Sequence, residues 1–327
     1  MHDFTHVHRV PKWKAAREMA TINWTALRKQ TLGGAESELL PPQIKLPMLP
    51  HAVMEFAKRA ENPEVGSREL AKIIETDTGL TCELLRYVNS CLFGLRRKAA
   101  NAQQAIGLLG SRQCKLFLLT TGVKSALSTR ESKLINFRTF WMANLERALF
   151  AREVAGLLKV DTDLAFAAAM LQDSLLPVVS TELYSVYVQY GDLPEKTARD
   201  LPVYEKEQLG WTHAFSAAAI MAGWQFPDDL VCCVLFHHAG LRLLADNRIG
   251  RSAASAVAVA SLLPDPFRQV RRGLADLLQL EAAWPAFQLL ELAGRVDEQF
   301  QALSGQVNEF SLRHRCERQL ESMAVAG

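Results

Sequence analysis

CxxC cysteine pairs, glycine-rich phosphate loops and a strong charge of one sign are all missing from this sequence. The chain has 327 residues and six cysteines, and no two cysteines are spaced as a CxxC pair. This spacing argues against a zinc site or a disulfide framework. Most of the cysteines lie in apolar runs, so we predict buried free thiols. They are Cys82, Cys91, Cys114, Cys232, Cys233 and Cys316.

Long hydrophobic runs are also missing. The first residues contain no apolar core of signal-peptide length, and the longest apolar stretch, at about 253–263, is too short to span a bilayer. The net charge of +2 is too balanced to indicate a nucleic-acid or membrane partner. We therefore expect a cytoplasmic protein with no membrane partner.

Residues 1–42 are predicted to form an N-terminal extension and linker. The first thirty residues carry six Lys or Arg against two acids, and the segment ends in Gly33-Gly34 and Pro41-Pro42. A basic arm that binds nucleic acid is one interpretation, and a solvated face is the blander one. A small group of side chains could hold a metal, although a terminal cluster without a scaffold is more often a polar tail: His2, Asp3, His6 and His8.

Helical periodicity begins at about residue 50 and continues to the end of the chain. Val53, Phe56 and Ala57 fall on one helical face, and Asn101 followed by Gln104 is an N-terminal capping pattern. No strand–helix alternation or internal repeat occurs, so the predicted class is all-α. "LYSVYVQY" (183–190) fits a strand or a helix, and its helical surroundings favour a helix. Other helices are predicted at about 79–92, 139–159, 163–180, 202–223, 228–239, 251–262, 285–303 and 306–324.

Six short strings carry more information than the periodicity. They are "LPMLP" (46–50), "IIETDTGLTCELLRYVNSCLFGL" (73–95), "AQQAIGLLG" (102–110), "EKEQLGWTH" (205–213), "GWQFPDDL" (223–230) and "FHHAG" (236–240). In this order and spacing they resemble the HDOD family, a non-catalytic offshoot of the HD phosphohydrolases found in bacterial signalling proteins. The resemblance covers about residues 44–265.

The resemblance implies a helical domain in two parts. An N-terminal bundle would occupy 43–130 and an HD-like bundle 131–265, followed by a C-terminal helical extension at 266–327. Six motif residues are expected to have structural roles: Pro47 and Pro50 at a helix entry, Asn89 and Ser90 bonding backbone at a turn, and Gly94 and Gly110 closing helices.

The resemblance also says where an HD metal site would lie. In HD enzymes a His, a His-Asp pair and a later Asp hold divalent cations, which activate water and polarise a phosphoryl oxygen. Carried over, the first His falls near Ala143 or Asn144, the pair on Gln172-Asp173, and the later Asp near Ser261. Of the four ligand positions, only Asp173 still carries a ligand side chain. We therefore expect a degenerate site with no metal, no cofactor and no catalysis.

Three other histidines could take the place of the missing ligands. His213, His237 and His238 lie in the family strings, but adjacent residues of an α-helix point about 100° apart. His237 and His238 are therefore not expected to face one site, and structural roles beside Asp173 are predicted. Cys233 and His237 are spaced as a thiol–base pair, but the apolar context favours a buried thiol.

The resulting expectation is a non-catalytic regulatory protein that binds a protein partner, with a small-molecule or nucleotide ligand as a further option. The alternative is a divergent metal-dependent phosphohydrolase that acts on nucleotides or cyclic dinucleotides through Asp173 and the three histidines. An apolar C-terminal stripe is expected to pack on the core, with a homodimer or partner interface as the alternative: Leu289, Leu292, Ala293, Val296, Phe300 and Leu303.

Overall fold

The computed structural model describes residues 21–33, 48–90, 98–128, 132–194, 199–304 and 311–326. Within these ranges the secondary structure is helical and no strand occurs, which confirms the all-α class. The ambiguous segment at 183–190 forms a helix, as predicted. Predictions for the histidines of residues 1–20, and for Pro47, Cys91 and Gly94, fall outside the described residues.

The first helices form a small bundle with one exception. Helix α2 packs on α3 and α6, and α4 packs on α5 and α6, around buried Val53 and Phe56. Helix α1 instead contacts α13 in the second bundle, where Arg28 forms an ion pair with Asp228 at 2.6 Å. The helices are α1 (Trp24–Leu32), α2 (His51–Arg59), α3 (Ser67–Ile74), α4 (Thr78–Val88), α5 (Ala102–Leu109) and α6 (Ser111–Ser128).

The second bundle is organised around α8, which packs against α6, α7, α13 and α15. Its sequence is apolar on every side, as expected for a helix surrounded by others, and its alanines let neighbouring backbones approach closely. The helices are α7 (Phe137–Leu158), α8 (Thr162–Leu171), α9 (Leu176–Glu182), α10 (Tyr184–Gly191), α11 (Leu201–Leu209), α12 (His213–Gly223), α13 (Asp228–Leu235), α14 (Leu241–Leu244) and α15 (Ala253–Ala260).

Three helices predicted as continuous are broken in the structure. The predicted helix at 163–180 stops at Leu171, and α9 starts at Leu176 with Pro177 in its first turn. The one at 202–223 is interrupted at Gly210, which has a φ of +78°. The one at 228–239 ends at Leu235 and is followed by a 3₁₀ turn, His237–Ala239.

One stretch, Thr162–Glu182, is long and apolar enough by composition to cross a membrane. Within the fold, 89% of its most apolar window is buried, and the turn between α8 and α9 divides it. It therefore has the character of a core segment.

The C-terminal helices continue the same hydrophobic core. Helix α17 packs on α7 and α18, and the five inner members of its apolar stripe are buried, while Leu303 is half-buried. The stripe is thus used for packing against the core. The helices are α16 (Gly273–Ala283), which the periodicity did not predict, α17 (Leu289–Ser304) and α18 (Leu312–Ala326).

Gly273 lies where α16 comes close to the end of α15. A Cβ atom at this position would lie 2.1 Å from the carbonyl oxygen of Leu262, a backbone atom that cannot swing aside. We expect Gly273→Ala to lower the free energy of unfolding by about 1–3 kcal/mol or more in denaturant titrations. Gly156→Ala is the matched control, because its Cβ would meet nothing within 4 Å in α7, and it should raise stability by about 0.4–1 kcal/mol. Equal effects of the two substitutions would contradict the close approach.

Candidate metal centre

Four side chains from three separate breaks in the helices converge on one point. Asp173 follows α8, His213 begins α12, and His237 and His238 lie in the 3₁₀ turn after α13. One ligand atom from each lies within 4.8 Å of the other three. Asp173 Oδ1 is 3.4 Å from Nε2 of both His213 and His237, and the Nε2 atoms of His213 and His238 are 3.0 Å apart.

Contacts at Nδ1, the ring nitrogen that faces away from the cluster, orient the rings of His213 and His237. His237 Nδ1 donates to the carbonyl oxygen of Val234 at 2.6 Å, and since a carbonyl only accepts, Nδ1 carries the ring proton. His213 Nδ1 is 2.7 Å from Glu205 Oε2, a carboxylate that also accepts from the His213 backbone N–H. Both rings therefore present Nε2 to the cluster, which is how metal-bound histidines are commonly held.

Asp173 divides its two oxygens between two tasks. Oδ2 forms an ion pair with Arg147 and accepts a hydrogen bond from Gln269 Nε2 at 3.0 Å. A second nitrogen of Arg147 lies 3.1 Å from Asp265 Oδ2. Oδ1 is buried and makes no hydrogen bond of good geometry to any described residue, with the Nε2 atoms of His213 and His237 each 3.4 Å away. The free oxygen thus faces the three Nε2 atoms, and a cation is the group that would satisfy all four.

Charge is distributed unevenly within the cluster. Burial raises the pKa of Asp173, but the Arg147 guanidinium and then the histidine hydrogen bonds outweigh it, so the pKa lies well below its usual value. Burial lowers the pKa of His213, but Glu205 and Asp173 outweigh it and raise the pKa to about 10. Burial lowers the pKa of His237, and burial together with the neighbouring imidazoles holds that of His238 well below its usual value. A metal-free cluster at neutral pH therefore carries one extra proton, on His213.

Comparison with known proteins decides the family. The model of the HDOD domain matches residues 46–240, more than half of the chain. This chain belongs to the HDOD family. Among proteins similar to it, an uncharacterised protein of Treponema pallidum is 24% identical over 250 residues. That match covers 72% of this chain and 47% of the relative, so the chain spans about half the relative's length.

Two solved structures share the fold. An HDOD domain protein of unknown function from Geobacter sulfurreducens has a TM-score of 0.59 at 18% identity, over 87% of this chain and 98% of that one. A candidate phosphohydrolase from Shewanella amazonensis has a TM-score of 0.61 at 21% identity, over 80% and 95% of the two chains. At these identities the likeness concerns the fold.

The expectation of an HDOD protein without enzymatic capacity was wrong as stated. It rested on a count of ligands at positions carried over from HD enzymes and on structural roles assigned to the three histidines. The cluster of Asp173, His213, His237 and His238 could bind a metal ion. The α-helical angle between His237 and His238 does not apply either, because α13 has ended and the 3₁₀ turn brings both Nε2 atoms towards His213.

The other positions carried over from HD enzymes do not supply ligands to this cluster. Asn144 is buried, with Nδ2 3.5 Å from the carbonyl oxygen of Met170. The Gln172 amide is 3.4 Å from Asp173 Oδ2, and Ser261 Oγ donates towards the carbonyl oxygen of His237. Gln172 and Ser261 thus contact the cluster from outside.

Several residues around the HDOD site were not predicted. Arg147 lies one helical turn after Asn144 in α7, whereas Asp265 lies four residues after Ser261 in the loop that follows α15. Glu205 is part of the string "EKEQLGWTH", and the turn at Gly210 returns the chain so that Glu205 meets His213. That string therefore contained the signal for Glu205.

The family-motif residues of the first bundle are found at helix ends. Pro50 is the N-cap of α2, and Gly110 closes α5 with a φ of +82°. The Asn89 side chain bonds both the N–H and the carbonyl of Ala99, at 2.7 and 2.9 Å. Ser90 Oγ, in contrast, is buried without a hydrogen-bond partner.

The cysteines offer no nucleophile at this site. Cys233 is fully buried, and burial holds its thiol pKa well above the usual value. Cys114, Cys232 and Cys316 are also buried free thiols, whereas Cys82 is exposed.

Proposed function

We propose that this chain is an HD-related regulatory protein of the HDOD family that binds one transition-metal ion. The ligands would be Asp173 Oδ1 and the Nε2 atoms of His213, His237 and His238. One observation carries the proposal: a buried carboxylate oxygen, unpartnered among the described residues, faces the Nε2 atoms of His213 and His237, whose Nδ1 atoms are already engaged by Glu205 and Val234. Without a metal ion, the extra proton on His213 is what relieves the opposition between this oxygen and the Nε2 lone pairs.

The donor set indicates the class of metal. Three imidazoles and one carboxylate suit zinc, iron, cobalt or nickel better than magnesium or calcium, which prefer oxygen. Arg147 already neutralises Asp173 Oδ2, so the site is suited to one ion. When bound, such an ion would lower the pKa of a coordinated water.

The regulatory role follows from what the ion would connect. It would tie the turn after α8 to the start of α12 and the 3₁₀ turn after α13, all of which are separate in sequence. Because metal binding of this kind contributes to the free energy of folding, metal supply would control how well these three segments are ordered. A cytoplasmic protein partner that recognises the surface formed by the ordered segments is part of this proposal.

A metal-dependent phosphohydrolase is the second candidate. Asp173, His213 and His237 are almost fully buried, but His238 is half-buried, so the cluster approaches solvent on that side. The candidate phosphohydrolase of Shewanella amazonensis has the same fold. Nucleotides and cyclic dinucleotides are the substrates to test.

Metal analysis of the purified protein tests the main proposal. We expect about one zinc, iron, cobalt or nickel ion per chain after growth with these metals. His237→Gln and Asp173→Asn should each remove it. His51→Gln is the matched control, because His51 is exposed at the start of α2 and should leave the metal content unchanged.

Two outcomes would reject the metal proposal: no bound metal in the unaltered protein, or full metal content in both site variants. Assays of the metal-loaded protein with nucleotides and cyclic dinucleotides then separate the two candidate functions. Turnover that disappears in His237→Gln but not in His51→Gln would favour the phosphohydrolase.

A further inference from the structure

A second, larger site lies between the two bundles, away from the histidine cluster. A cavity of about 600 Å³ is enclosed by α4 and α6 on one side and by α7 and α8 on the other, with the end of α17 at its edge. That volume is within the range of small-molecule sites. Most of its wall is apolar and includes Tyr87, Phe117, Trp141, Met142, Phe166 and Met170.

Two polar groups on this wall lack a partner within the part of the chain that the structure describes. Ser90 Oγ and Trp141 Nε1 are buried and make no hydrogen bond to any described residue, although both residues line the cavity. A buried polar group left unpaired lowers stability, because it has lost its hydrogen bonds to water. Such groups are rare enough in native proteins that each one needs an explanation. A ligand with acceptor atoms would supply one here.

The charges at the cavity leave one cation uncompensated. Glu83 forms an ion pair with Arg86 of its own helix, and Asp163 lies 3.8 Å from Arg152. Lys124 is exposed, lines the cavity and has no ion-pair partner among the described residues. Arg138 also lines the cavity. The cavity therefore combines a large apolar interior with a charged edge, on which Lys124 has no ion-pair partner among the described residues. Polyphosphates and sugars fit such walls poorly, because their polar groups would lose water without gaining partners.

We propose that this cavity binds a small molecule with an apolar body and a single carboxylate. The carboxylate would pair with Lys124 and offer its second oxygen to Ser90 Oγ or Trp141 Nε1, and the apolar body would lie against Phe117 and Met170. Since α7 and α8 contribute to both this cavity and the surroundings of the metal cluster, the ligand would act on the same two helices. The test of this site requires no bound metal, so it is independent of the proposed metal binding.

Calorimetric titration with dodecanoate, kept below its micelle concentration, tests the proposal in the full-length protein. We expect saturable binding of about one molecule per chain. Thr121→Trp, which places a large ring on the half-buried wall, should abolish it. Lys124→Gln should weaken it about two- to fivefold, the range for one exposed ion pair. Lys72→Gln is the matched control, because Lys72 is an exposed residue of α3 away from the cavity. This variant should bind dodecanoate as the unaltered protein does.

Three results would overturn the proposal. They are no saturable binding of dodecanoate, unchanged binding in Thr121→Trp, and equally tight binding of the uncharged 1-dodecanol. ATP is included as a polyanion, and ATP binding in the absence of dodecanoate binding would also reject an apolar carboxylate. If Thr121→Trp does not fold, the comparison of Lys124→Gln with Lys72→Gln decides the question.

Discussion

Replacement of Arg147 by methionine is expected to lower the free energy of unfolding by about 3–5 kcal/mol, the range for removing one partner of a buried ion pair. The side chains of Arg147, Asp173 and Asp265 are only 5%, 1% and 3% exposed. Arg147 is the cation that pairs with both carboxylates, so its removal leaves Asp265 without its cation and Asp173 with only the protonated His213. Methionine keeps much of the volume and isolates the effect of charge.

Two further variants make this prediction specific. Arg147→Met combined with Asp265→Asn should recover part of the loss, because the carboxylate that lost its cation is then gone. Arg59→Met is the matched control at an exposed pair, where Arg59 and Glu69 are 48% and 49% exposed, and it should cost less than about 1 kcal/mol. Urea titrations of all three would check the result. Similar losses in Arg147→Met and Arg59→Met would contradict the role given to Arg147.

The helical class could be predicted because apolar spacing is a local property of the sequence. Val53, Phe56 and Ala57 are buried on the predicted face, and Asn101 and Gly110 mark the ends of α5 as expected. The three breaks in the helices were harder to predict, because apolar residues continue through them. Pro177 and Gly210 were visible in the sequence, but neither residue alone determines that a helix ends.

The site could be predicted only in part. The family strings contain His213, His237 and His238, and the positions carried over from HD enzymes include Asp173, but the convergence of these residues depends on the three helix breaks. The contacts that orient them come from far along the chain, since Gln269 reaches Asp173 across 96 positions. No local pattern contains such a contact. The ligand count at the expected positions therefore underestimated what the fold assembles.

Glu205→Gln is expected to weaken metal binding about 10–100-fold while leaving the stoichiometry at about one ion, as for other residues that orient metal-bound histidines. Glu205 is fully buried and accepts from both the backbone N–H and Nδ1 of His213. Its charge makes His213 a better ligand. The Glu205 charge also strengthens the binding of the proton that competes with the metal at His213. A divalent ion, with twice the charge, is stabilised more by a nearby carboxylate than a proton is. The net effect of removing it is therefore weaker metal binding.

Tyr187→Phe is the matched control for Glu205→Gln, because Tyr187 donates to the other carboxylate oxygen, Oε1, at 2.6 Å and does not contact His213 in this network. It should leave metal affinity nearly unchanged even if stability falls.

The pH dependence of metal affinity separates positioning from a general loss of structure. Metal must displace the His213 proton, whose pKa is about 10, so affinity in the unaltered protein should rise about tenfold per pH unit from about pH 6 to about pH 8. In Glu205→Gln the pKa of His213 falls, because the Glu205 charge is the largest influence that raises it, and the rise should flatten at a lower pH. Competition titrations with a chelator would measure both profiles. Parallel profiles in the two proteins would show that Glu205 does not act through His213.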